Sequence, residues 1–251
     1  MVRVDETLRK IFGWKRVASA VTFTRFFRKF TLKENTRIFT ALNQWFFSQL
    51  HFDNYVLDVD SSVMTRYGEQ EGSRVGYNPK KRGRASHHPL FAFISDLRMV
   101  ANCWLRSGDA SSANHCIAFL EETFRILKGK TVGLFRADAG FCSEKIFSFL
   151  ESQQRPIPYV IAGRMHGLLQ WKVKEYKQWI ALDKGIWIAE MTYRAKGWSR
   201  ERRMVVVKQD VGVRPKAGGK VLKLFDDSSF YANYRYHCFF TNQTLPAVEI
   251  W

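Results

Sequence analysis

The stretch of sequence that decides the fold is YVLDVD, at residues 55–60. Its aromatic and β-branched residues predict a β-strand. The strand ends in carboxylates, because Asp58 and Asp60 lie two residues apart and therefore on the same strand face. Such a strand places acidic side chains at one edge of a sheet, where a neighbouring strand can bring in further acids.

The segments that follow alternate between strands and helices. The predicted elements are strands at 90–94 and 98–105, a helix capped by Ser111 or Ser112 and running to about Leu127, a strand at 131–137, a helix from Ser143 to about Gln153, and a strand at 156–162. With the first strand they give the order β-β-β-α-β-α-β. This order is typical of a mixed sheet with helices on its faces.

The two flanks of this region differ from it and from each other. Residues 1–50 carry apolar residues at helical spacing and are predicted to be helical. Basic residues interleave with the aromatic ones there, so the segment is either a helical arm that contacts DNA or an amphipathic helix pair with a solvated basic face. Residues 165–240 show short alternating runs separated by turn clusters such as Ala217-Gly218-Gly219, which predicts a β-rich unit.

The composition indicates a folded protein with a polyanionic partner. The chain has 251 residues, 46% of them hydrophobic and 15% aromatic, which excludes a disordered or low-complexity chain. Lys and Arg number 40 against 23 Asp and Glu, so the formal net charge is +17. A surface this basic favours nucleic acid as the partner. The same charge would also suit an anionic membrane surface, or serve solubility alone.

Two classes of protein are disfavoured. No apolar run approaches the roughly 18–20 residues that a transmembrane helix needs, so we expect no membrane partner. The four cysteines lie far apart without a Cys-x-x-Cys pair, which argues against a zinc ribbon and against a disulfide-stapled fold. We expect them to be reduced thiols.

A second acid follows the predicted strand at 131–137. Asp138 lies in RADAGF, at residues 136–141, and Gly140 would let the backbone turn sharply beside a phosphate. Carboxylates that end neighbouring strands can converge on hard divalent cations such as Mg²⁺ or Mn²⁺. Two ions about 3.5–4 Å apart would support phosphodiester cleavage. Aspartates are also common in ordinary loops after strands, so the spacing alone does not separate a metal site from a plain loop.

Longer motifs add a family resemblance. The segments LDVDSSVMTRYG at 57–68 and GYNPKKRGRASHHPL at 76–90 resemble the DDE transposases of bacterial insertion sequences, and the match continues at 98–100, 104–108 and 136–141. The resemblance is strongest to the branch of the insertion-sequence-four superfamily whose catalytic domain is RNase H-like. It therefore implies an α/β fold: an RNase H-like mixed sheet flanked by helices, with an N-terminal helical segment and a β-rich insertion.

The resemblance also implies roles for individual residues. Asp60 would be the first acid and Asp138 the second, both ligands of Mg²⁺ or Mn²⁺, with Asp58 as the alternative first acid. The cations expected to contact the DNA backbone are those of one loop: Lys80, Lys81, Arg82 and Arg84. The implied domains are a helical segment at 1–52, the first part of the catalytic core at 53–163, and the insertion with the start of the return to the core at 164–251.

The third acid of the family pattern is missing. That acid lies on a helix with the pattern Tyr-x-x-Arg-x-x-x-Glu-x-x-x-x-x-x-Lys, which occurs nowhere in the sequence, and Glu249 lacks the Tyr and Arg at the required offsets. We therefore expect a transposase truncated before its final Glu, one that binds DNA but has little or no strand-transfer activity. The alternatives are a DNA-binding remnant without catalysis and a related metal-dependent nuclease.

The resemblance finally implies the partners and the setting. The expected ligand is double-stranded DNA, both the terminal repeats of the element and its target. A homo-oligomer is expected during transposition, in the bacterial cytoplasm and in association with the nucleoid.

Overall fold

The computed structural model describes residues 6–212 and 233–251. The chain divides into two compact units, Met1–Leu50 and His51–Trp251. The first unit is helical, as the spacing of its apolar residues predicts. Its helices are α1 (Glu6–Ile11), α2 (Ala20–Phe27) and α3 (Leu32–Ser48).

The longest helix of the first unit, α3, has a well-defined start. The Thr31 hydroxyl accepts the backbone N–H of Glu34 at 3.3 Å, and the Glu34 carboxylate accepts the backbone N–H of Thr31 at 2.8 Å. This reciprocal capping box satisfies two backbone donors at the helix N-terminus. Large apolar side chains of this unit remain exposed, including Phe12, Phe27 and Trp45.

The second unit is built on a nine-stranded mixed sheet. Its strands, in spatial order, are β6 (Met99–Trp104), β5 (Leu90–Ile94), β1 (Tyr55–Ser61), β7 (Val132–Ala137), β8 (Tyr159–Gly163), β12 (Tyr234–Thr241), β11 (Arg202–Asp210), β10 (Ile186–Tyr193) and β9 (Ile180–Asp183). β5 is antiparallel to both of its neighbours, β6 and β1, whereas β7 is parallel to both β1 and β8. This is an RNase H-like arrangement, and the predicted fold class is confirmed.

Strand β1 lies in the middle of the RNase H-like part of the sheet. Tyr55, Leu57 and Val59 alternate along it and are each at most 2% exposed. Asp58 and Asp60 take the other positions of the alternation, where the strand is less buried. The alternation thus fixes the face of the acids, because a shift of one residue would bury both carboxylates.

Two amphipathic helices make the crossovers on either side of β7. α4 (Cys116–Ile126) precedes β7 and α5 (Glu144–Glu151) follows it. Their buried side chains recur every three or four residues: Cys116, Phe119, Leu120, Thr123 and Ile126 on α4, and Ile146, Phe147 and Leu150 on α5. The rings of Phe124 and Phe149 stack with their centroids 6.2 Å apart, so the two helices pack side by side.

Helix α4 begins later than predicted. Neither Ser111 nor Ser112 caps it; the residue before its first turn is His115, which adopts a left-handed conformation with φ of 57° and provides no side-chain cap. The two serines have other partners, because Ser111 Oγ donates to Asn114 and Ser112 Oγ bonds to Ser61. The cap prediction was therefore wrong, since the Ser111 hydroxyl has a local partner in the loop and the Ser112 hydroxyl has a tertiary partner on β1.

The β-rich unit extends the main sheet. β12 pairs with β8 in antiparallel register, and β11, β10 and β9 continue outward from it. The junction depends on Gly163, because a Cβ there would lie 2.6 Å from the Phe240 ring and 2.7 Å from Cys238 Sγ. This half also carries α6 (Gly167–Glu175) and α7 (Ala247–Ile250).

A small second sheet forms in the connection between β1 and β5. Its strands, in spatial order, are β2 (Met64–Thr65), β4 (Ala85–His87) and β3 (Arg74–Val75). β2 begins three residues after the end of β1, so this sheet is tied to the strand end that carries Asp60. The basic loop joins β3 to β4.

Within the described ranges, no helix is long and apolar enough to cross a membrane. The predicted turn at Ala217-Gly218-Gly219 lies outside the described residues.

Candidate active site

Asp60 and Asp138 lie at the ends of two adjacent parallel strands. Val59 pairs with Ala137 in the parallel register of β1 and β7, and each is followed directly by one of the acids. Since parallel strands end at the same edge of a sheet, the two carboxylates lie at the same edge. The predicted convergence of two acids is thus present in the fold.

Burial and the charge of Asp138 both act on the Asp60 carboxylate. Partial burial raises the pKa of Asp60 above its usual value, the hydrogen bond from the Ser61 backbone opposes this rise, and the negative charge of Asp138 adds to it. A like charge disfavours ionisation only over a short distance. The charge of Asp138 therefore acts on Asp60 at this edge of the sheet.

One oxygen of each carboxylate is fixed by the backbone. Asp60 Oδ1 accepts the Ser61 N–H at 2.7 Å, and Asp138 Oδ1 accepts the Gly140 N–H at 2.8 Å. Neither acid forms an ion pair with a Lys, Arg or His among the described residues. In that part of the chain the two negative charges are thus not neutralised.

Asp58 has a different environment from Asp60. Its two oxygens accept Arg136 Nε at 2.7 Å and Arg136 Nη2 at 2.8 Å, and Arg136 also donates to Ser95 Oγ at 3.2 Å. This bidentate pair joins β1 to β7 directly before the acidic edge, since Asp58 and Arg136 are register partners. Asp58, the alternative first acid, is therefore already paired with Arg136 and links β1 to β7.

Two serines also belong to the site. Ser61 Oγ and Ser112 Oγ are 2.8 Å apart, which brings the loop before α4 to the end of β1. A Cβ at Gly140 would lie 2.7 Å from Ser112 Oγ and 2.9 Å from Asp138 Oδ1, so only glycine fits between them. The sequence did not predict that these two serines contact each other at the site. Ser112 was considered only as a possible cap of α4, which it is not.

Arg106 holds the Ser112 loop in place from within the protein. Its guanidinium donates to the backbone oxygens of His88, Ser111, Ser112 and Asn114, at distances between 2.7 and 3.3 Å. The residue is 8% exposed, and burial lowers its pKa. A buried cation that binds only carbonyl oxygens fixes the backbone around it, so Arg106 determines where Ser112 meets Ser61 and Gly140.

The basic loop is exposed, and its base is fixed. Lys80, Lys81, Arg82 and Arg84 are all exposed. Asn78 is 4% exposed; its Oδ1 accepts the Lys81 N–H at 3.0 Å and its Nδ2 donates to Thr65 Oγ1 at 2.9 Å. The cations therefore extend from a fixed base in the connection between β3 and β4 of the small sheet.

The two neighbouring histidines serve the small sheet. His87 Nδ1 accepts from Arg66 Nε at 2.9 Å, so its Nε2 carries the proton donated to the Glu71 carbonyl at 3.0 Å. His88 Nε2 donates to the Tyr77 carbonyl at 2.8 Å. Both are buried and tie loop backbone to the sheet.

A third acid does not join the pair within the described residues. In residues 6–212 and 233–251, no group of three or more His, Cys, Asp and Glu side chains is placed to hold a metal ion. Glu249 is on α7, whose Ile250 packs against Ile188, Val205 and Val207 of β10 and β11. β11 is four strand positions from β1, roughly 20 Å at the usual strand spacing, so Glu249 belongs to another part of the sheet.

The Asp60 and Asp138 side chains fit a hard divalent cation. They are oxygen donors, they are not paired with a cation among the described residues, and partial burial together with the negative charge of Asp138 raises the pKa of Asp60. Mg²⁺ is commonly bound through one or two carboxylates and completes its shell with water. The donor set thus agrees with the metal that the resemblance implies.

Comparison with known proteins now identifies the family. The family model for the transposase DDE domain, group 1, matches residues 1–216. The chain belongs to this family. DDE transposase domains generally use divalent metal ions, in agreement with the two carboxylates of this site. No curated protein sequence matches the chain significantly.

A solved structure supports the fold of this DDE transposase domain. The chain is similar to the piggyBac transposase in a cryo-EM synaptic complex with hairpin DNA, with a TM-score of 0.50 and 12% sequence identity. The alignment covers 91% of this chain and 41% of that chain. At this identity the similarity shows the fold alone, and this chain spans less than half the length of the transposase that it matches.

Proposed function

We propose that this DDE transposase-domain protein acts in the cleavage and joining of DNA strands at the ends of an insertion sequence, and that it is only weakly active by itself because no third acid joins Asp60 and Asp138 among the described residues. The observation that carries the proposal is the carboxylate pair of Asp60 and Asp138, which ends two adjacent parallel strands without a cationic partner among the described residues. The basic loop of the small sheet supplies the charge that a DNA backbone requires. The motifs at 57–68 and 76–90 support a place in the insertion-sequence-four superfamily.

Asp60 and Asp138 are the proposed ligands of the divalent ions, Mg²⁺ or Mn²⁺. When bound, such ions activate the attacking oxygen and stabilise the leaving one in phosphodiester chemistry. The backbone N–H groups of Ser61 and Gly140 hold one oxygen of each carboxylate, which orients the other oxygen for a ligand. The Ser61–Ser112 contact and Arg106 keep the surrounding loops in place.

The proposed DNA contacts are electrostatic. Lys80, Lys81, Arg82 and Arg84 would bind phosphates of the element end or of the target, so affinity should fall steeply with salt. We also propose homo-oligomer formation during transposition, in the bacterial cytoplasm. The proposed domains are 1–52, 53–163 and 164–251; the compact first unit, Met1–Leu50, supports the first boundary.

A second candidate function is DNA binding without catalysis. One observation favours it: among the described residues no third acid joins Asp60 and Asp138. A site with two carboxylates would bind an ion with fewer protein ligands, and cleavage would then be slow or absent.

Cleavage and joining assays separate these possibilities. The chain is incubated with Mg²⁺ and end-labelled duplexes taken from the DNA that flanks its gene, beside Asp60→Asn, Asp138→Asn and the control Asp58→Asn. The proposal expects nicked and joined products, a loss of roughly 10³-fold or more in both site variants, and retention in the control. Binding without cleavage in every sample supports the second function, cleavage without joining indicates a nuclease, and no DNA binding contradicts all three.

A further inference from the structure

Two tyrosines beside the basic loop are unusually exposed. Tyr67 is 72% exposed and Tyr77 is 73% exposed, among the highest values for the large apolar and aromatic side chains of the described residues. Tyr67 follows β2 and Tyr77 follows β3, so both rings belong to the small sheet that carries the cations. Tyrosine rings left in water at a basic surface are available for contact with a ligand.

The backbone under both rings is fixed. Arg66, directly before Tyr67, donates its N–H to the Ala85 carbonyl at 2.8 Å, and the Tyr77 carbonyl accepts His88 Nε2 at 2.8 Å. At Gly76 a Cβ would lie 2.0 Å from the Gly108 carbonyl oxygen, so the backbone directly before Tyr77 is in tight contact with its neighbour. A ring on a fixed backbone loses little conformational freedom when it binds.

The cations are placed for a nucleic acid whose bases contact the rings. The Arg84 guanidinium lies over one face of the Tyr67 ring, 5.7 Å from its centre, so a phosphate-binding cation and an aromatic ring are in contact and the opposite ring face is left for a base. Positive charge interleaved with exposed aromatic rings is the arrangement by which proteins hold single-stranded nucleic acid, because bases stack on the rings while cations follow the backbone. In an intact duplex the bases stack on each other and do not offer their faces.

We infer that the small sheet is a binding platform for unpaired bases at a DNA end, with Tyr67 and Tyr77 as stacking residues. The inference rests on the proposed function, since it concerns the DNA that this site would process. It adds a substrate class: ends whose terminal bases are unpaired bind more tightly than blunt ends. Stacking tolerates any base, so the preference concerns unpairing and not sequence.

The test compares two DNA probes that differ only at the end. One is a blunt duplex, and the other carries a short single-stranded extension that contains 2-aminopurine, whose fluorescence is quenched when it stacks. Binding is measured in the Asp138→Asn protein, so that cleavage does not alter the probe. We expect tighter binding of the extended probe and quenching of its fluorescence.

Variants identify the residues. Tyr67→Ala and Tyr77→Ala should each weaken binding of the extended probe by about tenfold, remove much of the quenching and leave blunt-duplex binding unchanged. Tyr67→Phe and Tyr77→Phe should behave as the parent, because phenylalanine keeps the ring. Trp171→Ala is the control, since Trp171 is 66% exposed on α6, away from the basic loop in sequence.

The outcomes that overturn the inference are distinct from failure of the proposed function. Equal affinity for both probes, absence of quenching, or losses in the Phe variants as large as in the Ala variants would contradict stacking while leaving duplex binding intact. Loss in Trp171→Ala equal to that in the tyrosine variants would also contradict it. Failure to bind either probe would contradict the proposed function and this inference with it.

Discussion

The acidic edge of β1 and β7 and the contact between α5 and β11 both concentrate carboxylates, but they treat the charge in opposite ways. At the first, Asp60 and Asp138 lie near each other without a cationic partner among the described residues. At the second, Glu144 and Glu151 are both bound by Arg202, through distances of 2.6 and 3.0 Å. One region keeps negative charge available and the other pairs it with a cation.

The α5–β11 contact stabilises the fold through a buried, well-partnered arginine. The Arg202 side chain is 2% exposed and lies 4.7 Å from the Phe147 ring centre and 5.2 Å from that of Trp198. Hydrogen bonds from Arg202 and Ser199 lower the pKa of Glu144 to about 2. A buried cation with this many partners binds α5 to β11, which joins the two halves of the nine-stranded sheet.

A structural acid differs from a candidate functional acid in whether a cation is paired with it. Asp58 belongs with Glu144, because an arginine satisfies both of its oxygens, although it is only two residues from Asp60. Asp60 and Asp138 have backbone N–H donors on one oxygen each and no counter-ion in the described part of the chain. Carboxylates that end adjacent strands without a cationic partner are candidates for a cation site.

The largest expected effect is on the free energy of unfolding, at the α5–β11 contact. Arg202→Met leaves Glu144 and Glu151 without their shared partner in a partly buried setting, so the free energy of unfolding should fall by about 3–5 kcal/mol. Arg74→Met is the control, since the Arg74–Asp109 pair is exposed and should cost no more than about 1 kcal/mol. Denaturant unfolding measures both; equal effects would contradict the structural role.

The same contact should make the protein sensitive to acid. The folded-state pKa of Glu144, about 2, is below its ordinary value of 4.5, so its contribution is present above pH 4.5 and is lost as the pH falls toward 2. Burial raises the pKa of Glu151, but the hydrogen bonds from Arg202, Tyr159 and Arg200 outweigh burial and the pKa is lowered overall. Glu151 therefore changes the stability in the same direction as Glu144. The thermal unfolding temperature, measured from pH 6 to pH 3, should therefore fall less steeply in Arg202→Met than in the parent.

A smaller effect is expected from crowding the acidic edge. Gly140→Ala puts a methyl group against Ser112 Oγ and Asp138 Oδ1, so it should destabilise the protein by about 1–3 kcal/mol and move Asp138. Gly167→Ala, at the start of α6, has open space around it and should be neutral or slightly stabilising. The denaturation midpoints of the two variants check this prediction. An unchanged midpoint in Gly140→Ala would mean that the acidic edge of β1 and β7 is not tightly packed.

The smallest effect concerns the charge of Asp60 itself. Because its folded-state pKa is raised, the stability that protonation provides is present at low pH and is lost as the pH rises through that pKa. At neutral pH the charged group therefore costs free energy, and Asp60→Asn should raise stability by less than Gly140→Ala lowers it. A clear destabilisation at pH 7 would instead assign Asp60 a structural role like that of Asp58.

The sequence predicts the order of strands and helices in this fold better than it predicts the contacts between their side chains. The YVLDVD strand and the β-β-β-α-β-α-β order follow from short-range alternation and periodicity, and the structure confirms them for the main sheet, whereas the three short strands of the small sheet were not predicted. The start of α4 could not be predicted, because the hydroxyl of Ser112 forms a bond with Ser61, 51 residues away. The difference between Asp58 and Asp60 was equally hidden, since the Arg136 partner is 78 residues from Asp58. Local patterns do not record such long-range partners.

The most direct test of the account is Mn²⁺ binding measured by isothermal titration calorimetry on the whole chain and three variants. The central claim is that Asp60 and Asp138 form a cation site and that Asp58 does not belong to it. We predict binding by the parent and by Asp58→Asn, and a loss of about tenfold or more in affinity in Asp60→Asn and Asp138→Asn. Binding that survives in Asp60→Asn and disappears in Asp58→Asn would contradict the account.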